Sequence, residues 1–164
     1  MSVGNDGGDD DDDAGAVCAS CGSCETSVKV TSANHVNGTV NYTDLPPAGG
    51  DHNACWSSWG VHAQAVQPEH WVHNLEHGGV VLLYRGDSST SSSDLASLQK
   101  LVDGRVQALL TPYAQLPTRF AVVSWGHRLL MDCLDSKAMV AFYAEHVDHA
   151  PESLTSGPPA SCPQ

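Results

Sequence analysis

The sequence predicts an α+β fold: a mostly antiparallel sheet with two helices on one face, long ordered loops and disulfide staples. Three observations predict it. Short apolar or β-branched runs of strand length are interspersed with two stretches of helical periodicity. A span rich in turn residues and aromatic anchors, "VNGTVNYTDLPPAGGDHNACWSSWG", separates the first strand from the others. Six cysteines are scattered from Cys18 to Cys162, an even number that fits a disulfide framework.

In chain order, "SVKVTS" alternates and carries β-branched residues, so it reads as a strand. The long loop follows, and a loop of that length inside a compact domain is usually functional. "GVVLLYR" is a continuous apolar run suited to a buried central strand. "SSDLASLQKLVDGR" places Leu95, Leu98, Leu101 and Val102 at helical spacing, with Ser93 or Asp94 as its cap and Gly104 as its stop. "VQALLTPY" is a further strand, "TRFAVVSWGHRLLMDCL" a hairpin or bent strand broken at Trp125-Gly126, and "SKAMVAFYAEHV" an amphipathic helix capped by Ser136.

Three zones result: residues 1–17 as a disordered acidic tail, 18–150 as a single globular metal-binding domain, and 151–164 as a Pro-rich C-terminal coil. The tail holds "GNDGGDDDDDAG", which has too little apolar surface to offset the entropy of ordering it. Seven Lys and Arg face 19 Asp and Glu, a formal net charge of -12, which repels a polyphosphate and excludes nucleic acid as a partner. No run of about 18 apolar residues is present to span a bilayer. Met1 leads straight into Ser, Gly and Asp with no signal-peptide pattern, but a mature exported sequence behind an added Met reads the same. The cysteines favour that second account, an extracytoplasmic protein (periplasmic, cell-surface or secreted) with a membrane tether through a removed N-terminal segment. Cys18, Cys21 and Cys24 lie too close together all to pair locally, so one is expected to reach a distant partner such as Cys162.

The chemistry concentrates in "HWVHNLEHGG", residues 70–79. His73 and His77 are four apart and share one face of a helical turn, about the separation needed to chelate one ion. Gly78 and Gly79 end the turn and launch the apolar strand. Two histidines hold a transition metal weakly, and His52, reached through the stiff Pro46-Pro47 and the pliant Gly49-Gly50, is the expected third ligand. His62 or Met131 is an additional ligand to weigh, with His70 and His127 in reserve; His35, His146 and His149 read as ordinary surface or structural histidines. "HNLEH" also fits H-x-x-E-H, the inverted zinc-peptidase pattern, in which Glu76 would be a general base. That chemistry expects a long helix, whereas two glycines follow at once, so a supporting role for Glu76 as acceptor from a histidine N–H is favoured.

"LPPAGGDH", "WGVHAQAVQPEHWVHNLEHGGVVLLY", "FAVVSWGHRLLMDCLD" and "HAPES" together resemble the bacterial family known as domain of unknown function 3105. The resemblance implies an exported or membrane-anchored protein whose shared elements map onto His52, His73, Glu76, His77, Trp125 and Gly126, and it implies no activity. The chain departs from that pattern at His62, where a Tyr is usual, and in its added cysteines.

The expected function is therefore an exported bacterial metal-binding protein. One transition-metal ion is held by His52, His73 and His77, for metal handling or redox work. Copper is favoured over zinc, because it heads the affinity order for such ligands and a thioether stands nearby. The alternatives are a zinc-dependent hydrolase with Glu76 as general base, and a disulfide-stapled interaction module without metal.

Overall fold

A computed structural model describes residues 15–154 and Cys162. Most of the expected acidic tail, and all of the Pro-rich coil from 155 onward except Cys162, lie outside the described residues. The elements are β1 (Thr26–Ser27), β2 (Gly60–Val61), α1 (Pro68–Glu76), β3 (Val80–Tyr84), α2 (Ser92–Val102), β4 (Ala108–Pro112), β5 (Phe120–Ser124), β6 (His127–Met131) and α3 (Ser136–His146).

The six strands form one sheet in the order β1-β6-β5-β3-β4-β2. It is mixed rather than mostly antiparallel. β3 pairs antiparallel with β5, β5 with β6 and β6 with β1, but β4 runs parallel to both β3 and β2. The cause is α2: a helix between two neighbouring strands returns the chain to its starting edge, so β3-α2-β4 is a crossover unit with parallel strands.

Alternation along the strands divides the core in two. Val80, Leu82 and Tyr84 pack with Leu110, Phe120, Val122, Leu129 and Met131 under Leu98 and Val102 of α2 and Met139 and Phe142 of α3. Val81, Leu83, Leu109, Ala121 and Val123 instead pack with Trp71, Val72 and Leu75 of α1. There are thus three helices among the described residues, not two, and α1 belongs to the second cluster.

Local corrections have local causes. "SVKVTS" contributes only its first residue, Ser27, to a strand, because the partner β6 begins at His127, opposite Ser27, and beyond it the turn at Trp125-Gly126 accepts just one more bond, from the Val28 N–H to the Gly126 carbonyl at 2.7 Å. The cap of α2 is Ser91, whose hydroxyl accepts from the Asp94 backbone N–H while the Asp94 carboxylate accepts from the Ser91 N–H; Ser93 and Asp94 are inside the helix. Asp135, not Ser136, caps α3, accepting from the Ala138 N–H at 3.0 Å. The disulfides are Cys18–Cys24, Cys21–Cys133 and Cys55–Cys162. Cys21 does reach a distant partner, but that partner is Cys133, while Cys162 closes on the long loop. No helix among the described residues is long and apolar enough to cross a membrane.

Candidate metal centre

Helix α1 starts on Pro68, whose fixed φ suits a first helical turn. Trp71, Val72 and Leu75 turn toward the sheet, and the loop between β1 and β2 closes over the rest. The Glu69 side chain accepts from the Val40 N–H at 2.6 Å. Asn74 accepts from the Ser57 N–H at 3.0 Å and donates to the Ser57 carbonyl at 2.9 Å, pairing with the loop as a strand would. A polar residue on a nine-residue helix is thereby buried without losing its hydrogen bonds.

The helix ends where Gly78 takes a φ of 86°, a conformation that suits glycine. Gly79 then passes so close to Asn74 that a Cβ there would stand 2.6 Å from its carbonyl oxygen. The two glycines let α1 turn directly into β3, which holds Glu76 and His77 at the end of a buried strand.

On this scaffold His35, His52, His73 and Glu76 bring one donor atom each within 4.8 Å of one another. His52, His73 and Glu76 are buried, at 0 %, 2 % and 5 % exposure, and His35 is exposed. The loop reaches the helix by folding on itself: His35 and His52 form an isolated parallel bridge, with Val36 N–H donating to the His52 carbonyl at 2.8 Å and His52 N–H to the Asn34 carbonyl at 3.1 Å. The ring centroids are 5.1 Å apart for His35 and His52, 4.8 Å for His35 and His73, and 4.6 Å for His52 and His73.

His77 adjoins this group without joining it, its ring 4.7 Å from that of His73. Trp56 stands edge-on to both, 5.0 Å from His73 and 4.7 Å from His77, and Trp125 flanks His52 at 6.1 Å. Of the other residues weighed from sequence, His62 is directed to the Ser58 carbonyl at 2.8 Å. Met131 is fully buried in the α2 and α3 cluster. Neither is brought to the histidines: odd-numbered residues of β6, Met131 among them, face the opposite layer, and His62 follows β2, where its backbone N–H donates to the Leu110 carbonyl at 2.8 Å. His70 lies against the Cys55–Cys162 disulfide.

The ring nitrogens carry a consistent signature. Nδ1 of His52 is 2.7 Å from the Gly50 carbonyl, Nδ1 of His73 is 2.8 Å from the Asn53 carbonyl, and Nδ1 of His77 is 3.0 Å from the Glu152 carbonyl. A carbonyl only accepts, so each Nδ1 carries the proton and each Nε2 presents its remaining valence to the interior. Carbonyl-fixed tautomers of this kind are the usual support of metal-binding histidines. Burial first, then the neighbouring imidazoles of His52, His77 and His35, push the pKa of His73 down to about 4 against the pull of the Asn53 carbonyl, which keeps the ring neutral and its lone pair free near pH 7.

A histidine packed for structure alone satisfies both nitrogens. Here Nε2 of His52 and Nε2 of His77 are buried with no hydrogen-bond partner. His52 Nε2 does face Glu76 Oε2 at 3.0 Å, an ion-pair distance that lacks hydrogen-bond geometry. The donor set of imidazoles and one carboxylate fits a borderline divalent ion, and a cation between these two atoms would satisfy both.

His35 gives little sign of itself in the sequence, because its approach comes from the bridge to His52 across the loop and not from any spacing along one element. The one available signal was the Asp51 carboxylate, which accepts from both the backbone and side-chain amides of Asn34 and draws the two arms of the loop together.

No curated protein and no solved structure matches this chain. A family model does, over residues 35–158, a span that holds the four clustered residues, the loop that carries two of them and the helix that carries the others. The chain belongs to the family described as "Protein of unknown function (DUF3105)".

Proposed function

We propose that this is an exported metal-binding protein that holds one divalent transition-metal ion, copper ahead of zinc, through His35, His52, His73 and Glu76. The observation that carries the reading is the buried approach of His52 Nε2 to Glu76 Oε2 without a hydrogen bond, beside imidazoles whose Nδ1 atoms are tied to backbone carbonyls. His77, expected from its spacing to be a first-rank ligand, becomes the adjoining imidazole, and Glu76, expected to support a histidine as an acceptor with a general base as the alternative, becomes a ligand. With Met131 in the other layer, the case for copper rests on the affinity order for nitrogen and oxygen donors and not on a thioether.

Three ligands are buried and one is exposed, a division that suits metal handling. His35 can leave the ion and be replaced by an outside ligand while the other three keep hold. The three disulfides support an oxidising, extracytoplasmic setting. Zinc-dependent hydrolysis is the weaker reading, because a carboxylate 3.0 Å from a ligand nitrogen is poorly placed to stand off the metal and activate water.

The test is copper and zinc titration of the purified, oxidised protein, with elemental analysis after desalting, beside a His52→Ala, His73→Ala double variant. Loss of one tightly held equivalent in the variant is the expected outcome. If the parent and the variant hold equal metal, the site is refuted; if neither takes any up, the disulfide-stapled interaction module becomes the better account.

A further inference from the structure

From the group formed by Glu25, His127 and His146 we infer a second divalent-cation site, in the sheet layer that packs against α3 and separate from the cluster on α1. It would take a borderline ion such as zinc.

Three remote segments meet there. Glu25 stands between the Cys18–Cys24 ring and β1, His127 opens β6, and His146 is the last residue of α3. One donor atom from each lies within 4.8 Å of the other two. His146 was expected on the surface, yet it is 7 % exposed, packed on Phe142 with ring centroids 4.3 Å apart and stacked on His127 at 4.4 Å.

A plain structural account covers half of this arrangement. His146 Nε2 lies 3.2 Å from Glu25 Oε2, an ordinary hydrogen bond. It does not cover His127, whose Nδ1 is buried without a hydrogen-bond partner although Glu25 Oε1 is 3.7 Å away. That separation is too long for a hydrogen bond. It is close to the spacing of two ligands on one ion, since donors bound at about 2.1 Å in a tetrahedral shell stand about 3.4 Å apart. The measured 3.2 and 3.7 Å fall on either side of that value.

The surroundings favour positive charge. His146 stands in the last turn of α3, where the partial negative charge of the helix end favours a cation, and Glu25 supplies a full negative charge. His127 is 36 % exposed along its side chain, so an ion has a way in, while the side chains of Glu25 and His146 are only 10 % and 9 % exposed. Two imidazoles and one carboxylate leave one tetrahedral position for water.

Zinc titration of the full-length oxidised protein, followed by calorimetry and elemental analysis, tests the inference in four forms: parent, Glu25→Gln, His52→Ala and the combination. Two equivalents are expected for the parent, one for each single variant and none for the combination. Gln keeps the shape and the hydrogen bond to His146, and should weaken this site at least about tenfold. Unchanged stoichiometry and affinity in Glu25→Gln would overturn the second site, whereas unchanged binding in His52→Ala would overturn only the first. As a measurement that needs no variant, titration to two zinc equivalents should shift the ring resonances of both His127 and His146; shifts still confined to the α1 histidines at two equivalents would also overturn the inference.

Discussion

Replacing Glu76 with Gln separates a ligand from a structural ion pair. In the metal-free protein the Nδ1 proton of His52 is given to the Gly50 carbonyl, and Nε2 faces Glu76 Oε2 at 3.0 Å. A Gln amide in the same place can donate an N–H to Nε2, a bond with a net contribution of about 1 kcal/mol, and it removes a buried charge. Metal-free Glu76→Gln is therefore expected to equal the parent or exceed its stability by about 1 kcal/mol, a rise in melting temperature of up to about 2–4 °C for a domain of this size. Metal reverses the order. At a free concentration of about 100 times its Kd, the ion stabilises the parent by about 2.7 kcal/mol, or about 5–11 °C. If the lost carboxylate weakens binding about 100-fold, the variant gains only about 0.4 kcal/mol at the same concentration. Scanning calorimetry with and without copper reads both effects. A metal-free variant that loses 2 kcal/mol or more, in the order of magnitude expected for a broken buried ion pair, yet keeps the full thermal gain from metal would refute the coordination argument.

Further outcomes follow from the same geometry. His35→Ala should weaken copper binding more than His77→Ala, by about tenfold or more in competition with a chromophoric chelator; the opposite ranking would move the ion one turn along α1. Copper should quench tryptophan fluorescence chiefly through Trp56, which touches His73 and His77, so Trp56→Phe should remove most of the quenching while leaving the stoichiometry intact. Asp135 holds two segments, accepting from the Ala138 and Ser20 backbone N–H groups, and these bonds lower its carboxyl to about 2. A depressed carboxylate stabilises above its unfolded value near 4 and loses that contribution as pH falls through 2. Asp135→Ala should thus lower stability by about 1 kcal/mol at pH 7 and by almost nothing at pH 2, measured as melting temperature against pH.

What was legible in the sequence was what short-range pattern controls. The apolar run of β3 and the four-residue spacing in α2 translate directly into buried strand and helix, and the spacing of His73 with Glu76 and His77 places the first two on α1 and the third at its C-terminal cap. Pairing was not legible. The parallel partnership of β3 with β4 depends on where α2 returns the chain, and the brevity of β1 on where β6 begins. The candidate site divides in the same way. His73 and Glu76 were conspicuous within one helix turn, and His52 was found from the loop that delivers it. His35 depends on a bridge across that loop, and the Glu25, His127 and His146 group on three segments that only the finished fold assembles. Met131 was weighed as a ligand although Leu129 and Leu130 beside it favoured the core, and the core is where it lies.

The Cys55–Cys162 disulfide bears on the order in which the protein matures. Its two sulfurs lie 3.3 and 3.0 Å from Nδ1 of His70, on the same helix as His73. As thiolates they would make, with that imidazole, a sulfur-rich trap able to capture a soft cation ahead of the neighbouring nitrogen and oxygen donors. Closing the bridge retires both sulfurs from the competition. If the histidines hold an ion as proposed, oxidation before loading would send it to them, whereas loading before oxidation would send it to the cysteines and leave the bridge open. Refolding the reduced chain with zinc, which does not oxidise thiols, added before or after the oxidant should yield two products distinguishable by free-thiol content, and a single product from both orders would show that the bridge closes regardless of the metal.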